Sequence, residues 1–305
     1  MTKLVSIRRA AFSVLAALFL AAPFFVSIPT AKMQSAANKI AFTRNVFGGN
    51  YKVMTANADG TNQTELANGS NPVWSKNGEQ IAYISGDGET SDIFLMNSDG
   101  SNQRRLTETA QAYNAAWSPV GNRIAFESSH EKGWHIYFIN TDGTNQQRLP
   151  IPAHITGEHS PAWTPDGSKI VFIGDRIVKG VFSSDFYSVK PDGTELTRLT
   201  NLNALLEWST PAISPDGGKI YFEHQSQIHS VTTDGSGILT NISNNSSFSD
   251  ANPALSPDGS KIVFERDNLG LFIMNTDGTD AAPLIGNAAN PVWNPSAASP
   301  RRPMR

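Results

Sequence analysis

The sequence predicts an all-β fold, a six-bladed β-propeller with four antiparallel strands per blade, on three observations. A first motif recurs five times. A second motif follows each copy, and the two ends of the 305-residue chain supply complementary parts of a sixth unit.

The first motif reads NPVWSKNGEQIAYIS (71–85), NAAWSPVGNRIAFES (114–128), SPAWTPDGSKIVFIG (160–174), TPAISPDGGKIYFEH (210–224) and NPALSPDGSKIVFER (252–266). The second reads DIFLMNSDGSNQRRLT (92–107), HIYFINTDGTNQQRLP (135–150), DFYSVKPDGTELTRLT (185–200), QIHSVTTDGSGILTN (227–241) and GLFIMNTDGTDAAPL (270–284). Near the N-terminus, NKIAFTR (38–44) and YKVMTANADGTNQTEL (51–66) form a unit without its opening strand, and NPVWNPS (290–296) is that strand. The glycines of the second motif stand 40 to 50 residues apart.

Each unit holds four strands, here a to d. Short runs rich in Ile, Val, Phe and Tyr, bounded by Pro, Asp and Gly, are strands and not helices. Strand a is exemplified by PAW, b by KIVF, c by IYFIN and d by QRL. The b and c runs are apolar on successive residues, as expected where both faces of a sheet are covered. Between a and b, and between c and d, PDG and TDG are turn chemistry: Asp bonds the backbone ahead and Gly takes positive φ. Four-stranded units of this length are propeller blades. An open ring would expose strand edges, so residues 290–296 are expected to join the first blade and close the ring over residues 38–296.

These units, PAWTPDGSKIVF followed by IYFINTDGTNQQRL, resemble the WD-like repeats of the TolB-like propeller family, over nearly all of residues 38–296. The same repeats occur in the propellers of prolyl-oligopeptidase-type peptidases. The resemblance implies a scaffold that docks a protein; in TolB that partner is a peptidoglycan-associated lipoprotein. TolB proper also carries an α/β domain ahead of its propeller, and here the propeller follows the leader directly. Peptidase relatives need a hydrolase domain, and no G-x-S-x-G elbow occurs in the chain.

Residues 1–37 read as a signal peptide and short leader: Lys3, Arg8 and Arg9 precede an apolar run from Ala10 to Ile28. Ala31 and Ala37 are the candidate cleavage positions. The run is just long enough to span a bilayer, so an uncleaved anchor is the alternative. Pro23 and the small residues beyond it favour cleavage, after which no membrane span is expected. Arg8-Arg9 follows Ile7, where the twin-arginine motif takes Ser or Thr. The expected location is periplasmic or secreted. Residues 297–305 read as a disordered tail.

Of the 24 Lys and Arg, four precede residue 38 and three follow residue 296, whereas all 27 acids lie between. The body therefore carries about −10, which disfavours nucleic acid as a partner. With no cysteine, disulfides, thiolate metal sites and cysteine nucleophiles are excluded. No cofactor motif is present, and a monomer is expected.

The aspartates that precede glycine, such as Asp142 and Asp166, occur one per turn, which is turn chemistry and not a calcium loop. Trp74, Trp117, Trp163 and Trp293 recur at one position in strand a, which points to packing between blades. The short a–b and c–d turns share one face of the disc, and the irregular b–c and d–a loops share the other. Binding usually sits on irregular loops held by a rigid scaffold. That face is expected to bind an envelope protein or small ligand through Trp134, His154, Glu158, His159, Trp208 and His224, the two residues Glu158 and His159 lying in the loop ahead of strand a. Further polar and aromatic residues fall in these loops, among them His130, Asp175, Asp185, Phe248, Asp250 and Arg266. The alternative is a propeller lyase or hydrolase with His154, His159, His224 and a carboxylate around the channel, holding a metal.

Overall fold

The structure, a computed structural model, describes residues 39–297 except 47–49, 87–89, 110, 203–205, 207–209, 235 and 246. Contacts divide the chain into Met1–Gln34 and Ser35–Arg305, and the described residues belong to the second unit. The leader assigned to residues 1–37, and the tail beyond residue 297, lie outside the described residues. Among the described residues, no helix is long and apolar enough to cross a membrane.

Six four-stranded antiparallel sheets form the blades. Blade 1 holds β1 (Lys39–Val46), β2 (Asn50–Asn57) and β3 (Thr64–Asn68). Blade 2 holds β4 (Ser70–Trp74), β5 (Gln80–Ser85), β6 (Asp92–Asn97) and β7 (Arg104–Arg105). Blade 3 holds β8 (Ala112–Trp117), β9 (Arg123–Ser128), β10 (His135–Asn140) and β11 (Gln147–Arg148). Blade 4 holds β12 (Gly157–Trp163), β13 (Ile170–Val178), β14 (Val181–Val189) and β15 (Thr197–Arg198). Blade 5 holds β16 (Ala212–Ile213), β17 (Lys219–His224), β18 (Gln227–Thr232) and β19 (Leu239–Asn241). Blade 6 holds β20 (Asp250–Leu255), β21 (Lys261–Arg266), β22 (Gly270–Asn275) and β23 (Ala282–Gly286). The last strand, β24 (Ala288–Trp293), pairs antiparallel with β1, with Ile40 opposite Trp293 and Arg44 opposite Ala288. The ring is closed as the sequence predicts.

The core is a set of seams. Six clusters of buried side chains each draw on two neighbouring blades. Between blades 3 and 4, Ala125 and Phe138 meet Ile170, Phe172 and Tyr187. Strands b and c are buried on both faces because each sheet packs against a neighbour on either side, which explains their uninterrupted apolar runs. Two of the strand-a tryptophans bridge the seams: Trp163 Nε1 donates to Ala116 O at 3.1 Å, and Trp293 Nε1 donates to Ala254 O at the same distance.

The repeated aspartates act within their own turns. In blade 3, Asp142 Oδ1 accepts from Thr144 N at 2.9 Å and from Thr144 Oγ1 at 2.6 Å, while Gly143 takes φ 90°. Asp59, Asp99, Asp192 and Asp277 repeat the arrangement. Hydroxyl donors first, then the backbone N–H, hold these carboxyls below their ordinary range, to about 2 at Asp166 and Asp234.

The inner strands differ from expectation in one respect. The motif residue before Pro or Ala does not begin strand a. It forms a β-bulge, with positive φ at Asn71, Asn114, Ser160, Asn252 and Asn290, and pairing resumes upstream of it. Asparagine tolerates this left-handed conformation better than most residues, which suits it to four of the five positions. In these five blades the inner strands therefore reach further toward the loop-rich face than the sequence motif suggests, whereas in blade 5 the inner strand β16 is only Ala212–Ile213.

Two outcomes test this architecture. Deleting residues 288–305 strips β24 from the first seam and is expected to lower the melting temperature by about 10 °C or more. Asp142→Asn keeps the Oδ1 acceptor, so its melting curve is expected to stay close to that of the parent, with any ligand binding unchanged.

Candidate functional site

Because pairing resumes above each bulge, Glu158 and His159 belong to β12 and are buried, not placed in the loop ahead of it. His159 lies between two carboxylates: Nδ1 is 3.0 Å from Glu127 Oε1 on β9, and Nε2 is 3.1 Å from Asp175 Oδ2 on β13. Burial pulls the imidazole pKa down, but the hydrogen bonds and charge of Asp175 and Glu127 outweigh it and raise the pKa to about 9. At neutral pH the ring is a buried cation that ties blade 3 to blade 4.

Glu158 has a different partner set. Its Oε2 accepts from Ile136 N at 3.0 Å, and its Oε1 is 3.2 Å from His135 Nδ1 and 3.5 Å from Arg148 Nη2. In blades 2 and 4 the equivalent register position of strand c, opposite Ser85 and Gly174, carries an aspartate. Asp92 accepts from Arg105 and Thr107, and Asp185 accepts from Arg198 and Thr200. Blade 3 has His135 there instead, and Glu158 reaches across from blade 4 to supply the missing carboxylate. Blade 6 makes a related clasp, with Arg266 donating to both oxygens of Asp250 at 2.7 and 2.9 Å.

Trp134 stands over this buried layer. Its ring centre is 5.9 Å from that of His159 and 5.6 Å from that of the exposed Tyr113, and its carbonyl accepts from Glu158 N at 3.0 Å. The structure thus brings Trp134, Glu158 and His159 together at the seam of blades 3 and 4. His154 lies apart in an exposed turn of the loop leading to β12. His224 lies at the end of β17 in blade 5, and Trp208 lies outside the described residues. Among the described residues, no three His, Asp or Glu side chains gather as a metal-ligand set.

The loop-rich face carries two adjoining concavities that the sequence motifs do not reveal. One, of about 710 Å³, lies over blades 6 and 1, and its lining includes Asn45, Asn252, Glu265, Arg266 and Asn290. The other, of about 860 Å³, lies over blades 1 and 2, with Asn50, Lys52, Asn68, Ser85 and Tyr113 among its lining. They share Tyr51, Ser70 and Asn71. Tyr51 is 48% exposed, at the start of β2. Neutral amides and hydroxyls dominate the floor, and Tyr51 and Tyr113 stand exposed at the rim. Sequence reasoning missed both tyrosines because each lies outside the loop segments where departures from the repeat are obvious.

A family model described as the TolB beta propeller domain matches residues 30–297. The chain belongs to the TolB β-propeller domain family. TolB from Acinetobacter baumannii is similar in fold, with a TM-score of 0.69 at 23% identity; the match covers 84% of this chain and 66% of that one. This TolB-family chain thus spans just under two thirds of that relative. A TolB candidate from Agrobacterium tumefaciens gives a TM-score of 0.63 at 22% identity, over 84% of this chain and 92% of that one. A chain of a nidogen/laminin complex gives 0.68 at 9% identity, over 85% and 99%. No curated protein matches the sequence.

The buried cation gives the TolB-family propeller a pH dependence with a definite sign. The folded-state pKa of His159 lies above its ordinary value of 6.5, so its contribution is fully present below about 6.5 and is lost as pH rises through about 9. The stake is on the order of 3 kcal/mol. Thermal melts across pH 6 to 10 are expected to show the parent losing more stability than His159→Gln over that interval.

Proposed function

We propose that this TolB-family propeller is an exported, non-enzymatic scaffold of the cell envelope that binds a protein partner on its loop-rich face. The observation that carries this reading is the contrast between the two faces. One presents near-identical Asx turns, whose polar groups are already engaged with one another. The other presents two joined concavities with Tyr51 and Tyr113 at their rim and Trp134 in ring contact with Tyr113. Aromatic side chains on a rigid surface supply contact area at low entropic cost and are enriched among binding hot spots.

Trp134 and His154 act in this reading as surface contacts, with Trp208 alongside; His224 is buried at the end of β17 and is not among them. Glu158 and His159 act from beneath, by fixing the seam on which Trp134 rests. Export rests on the leader sequence, and an envelope location accords with the family. The net negative body favours a partner with a neutral or basic surface.

The test is a crosslinking capture from native envelope extract, repeated with variants. Tyr113→Ala and Trp134→Ala are expected to weaken the captured interaction by about 1–2 kcal/mol each or more, with the fold checked by melting. Asn102→Gly and Asn145→Gly, in the turns of the opposite face, are expected to leave it unchanged. Loss of capture only in the turn variants would place the site on the other face.

A further inference from the structure

The six blades serve as controls for one another at every repeat position. Strand b carries an aromatic residue at one such position, and strand c places a side chain directly opposite. The pairs are Phe42 with Met54, Tyr83 with Phe94, Phe126 with Tyr137, Phe172 with Tyr187 and Phe264 with Phe272. In blade 5 the pair is Phe222 with His229. Packing asks for a large apolar ring or thioether there, and five blades comply. Two residues beyond the strand-b aromatic, the other blades carry Arg44, Ser85, Ser128, Gly174 and Arg266. Blade 5 carries His224. Both departures from the repeat therefore introduce an imidazole, and they fall in the same hairpin.

The register makes these two rings neighbours. Phe222 faces His229 and His224 faces Gln227, so His224 and His229 are diagonal partners on one side of the β17–β18 hairpin. Their ring centres are 5.3 Å apart with the planes at 71°. Two imidazoles that share one metal at a nitrogen–metal distance near 2.0–2.1 Å place their ring centres about 5 Å apart for tetrahedral angles. The hairpin turn is tight, with Gln225 and Ser226 both at positive φ (51° and 59°), so the register that sets this spacing is firmly held. His229 Nδ1 lies 3.2 Å from the Gln227 carbonyl oxygen, which can only accept, so Nδ1 carries the hydrogen. In the neutral ring the lone pair is then on Nε2. A histidine ligand whose other nitrogen donates to a backbone carbonyl is the usual outer-shell arrangement of protein metal sites.

We propose that His224 and His229, both buried, form a two-histidine binding site for a late divalent transition metal. Imidazole pairs bind the late first-row ions, and Cu²⁺ is held more tightly than Ni²⁺ or Zn²⁺. Calcium and magnesium, which take oxygen ligands, are not bound here. The site is separate from the concavities of the loop-rich face and does not depend on a partner binding there. A metal in this place staples the two central strands of blade 5 near the turn.

Isothermal titration of tag-free full-length protein with CuCl₂, together with electron paramagnetic resonance, tests the proposal. The expected result is one Cu²⁺ per chain with nitrogen ligands at the spectroscopic signature of two imidazoles, and a raised melting temperature. His229→Phe installs the residue that blades 2 and 6 use at this position, so the fold is expected to survive. This variant is expected to lose at least about tenfold in Cu²⁺ affinity along with the two-imidazole signature. His224→Ser, which installs the residue of blades 2 and 3, provides a second and independent variant. A parent that binds no Cu²⁺ through two imidazoles overturns the proposal. So does retention of parental binding by a folded His229→Phe or His224→Ser protein.

Discussion

A backbone N–H at an inner-strand bulge has no ladder partner within its own sheet, and leaving it buried and unpaired is costly. Three seams of this protein solve the problem by passing that N–H to the preceding blade. Ser160 N donates to Glu127 Oε2 at 3.0 Å, Asn71 N to Thr43 Oγ1 at 3.0 Å, and Asn290 N to Glu265 Oε2 at 3.4 Å. Asn114 and Asn252 add side-chain donors to the same glutamates, at 2.9 and 3.0 Å. The acceptor is always the residue that follows the strand-b aromatic, so the hydrogen bond and the apolar seam are set by one register. Apolar packing alone would let neighbouring sheets slide; the directional bond fixes their relative height.

That clasp also explains why charge gathers beneath a surface that otherwise looks neutral. Once Glu127 is committed to a bulge N–H, it is a carboxylate sunk between blades, and it calls for a compensating cation. His159 supplies one and shares it with Asp175. The neighbouring Glu158 compensates for a different deficit, the aspartate missing from the start of β10. A buried pair of this kind contributes little over an apolar replacement, but removing one partner is severe. Conformational specificity at the seam of blades 3 and 4 is the more natural reading of the arrangement, since Trp134 rests on it.

The repeats made the architecture legible: blade count, closing strand and turn chemistry follow from motifs that recur in register. The bulges were not legible, because an asparagine before proline reads equally well as the start of a strand. That single ambiguity put Glu158 and His159 in a loop when they are strand residues with partners on both sides. The histidine of β18 was hidden for a similar reason. QIHSV differs from its counterparts by one ring, and only the register shows that ring beside His224. Tyr51 and Tyr113 became candidates through exposure, which repeat position alone does not encode.

The pairing of β1 with β24 has a bearing on how the molecule comes into being. These two strands are the first and last of the described fold, yet they are immediate neighbours in one sheet. A chain emerging from its N-terminus can assemble the middle blades from local hairpins as they appear. Its first blade must wait with an open edge until the final strand arrives. Long-range closure of this type slows folding, so the ring is completed only after its last strand is available.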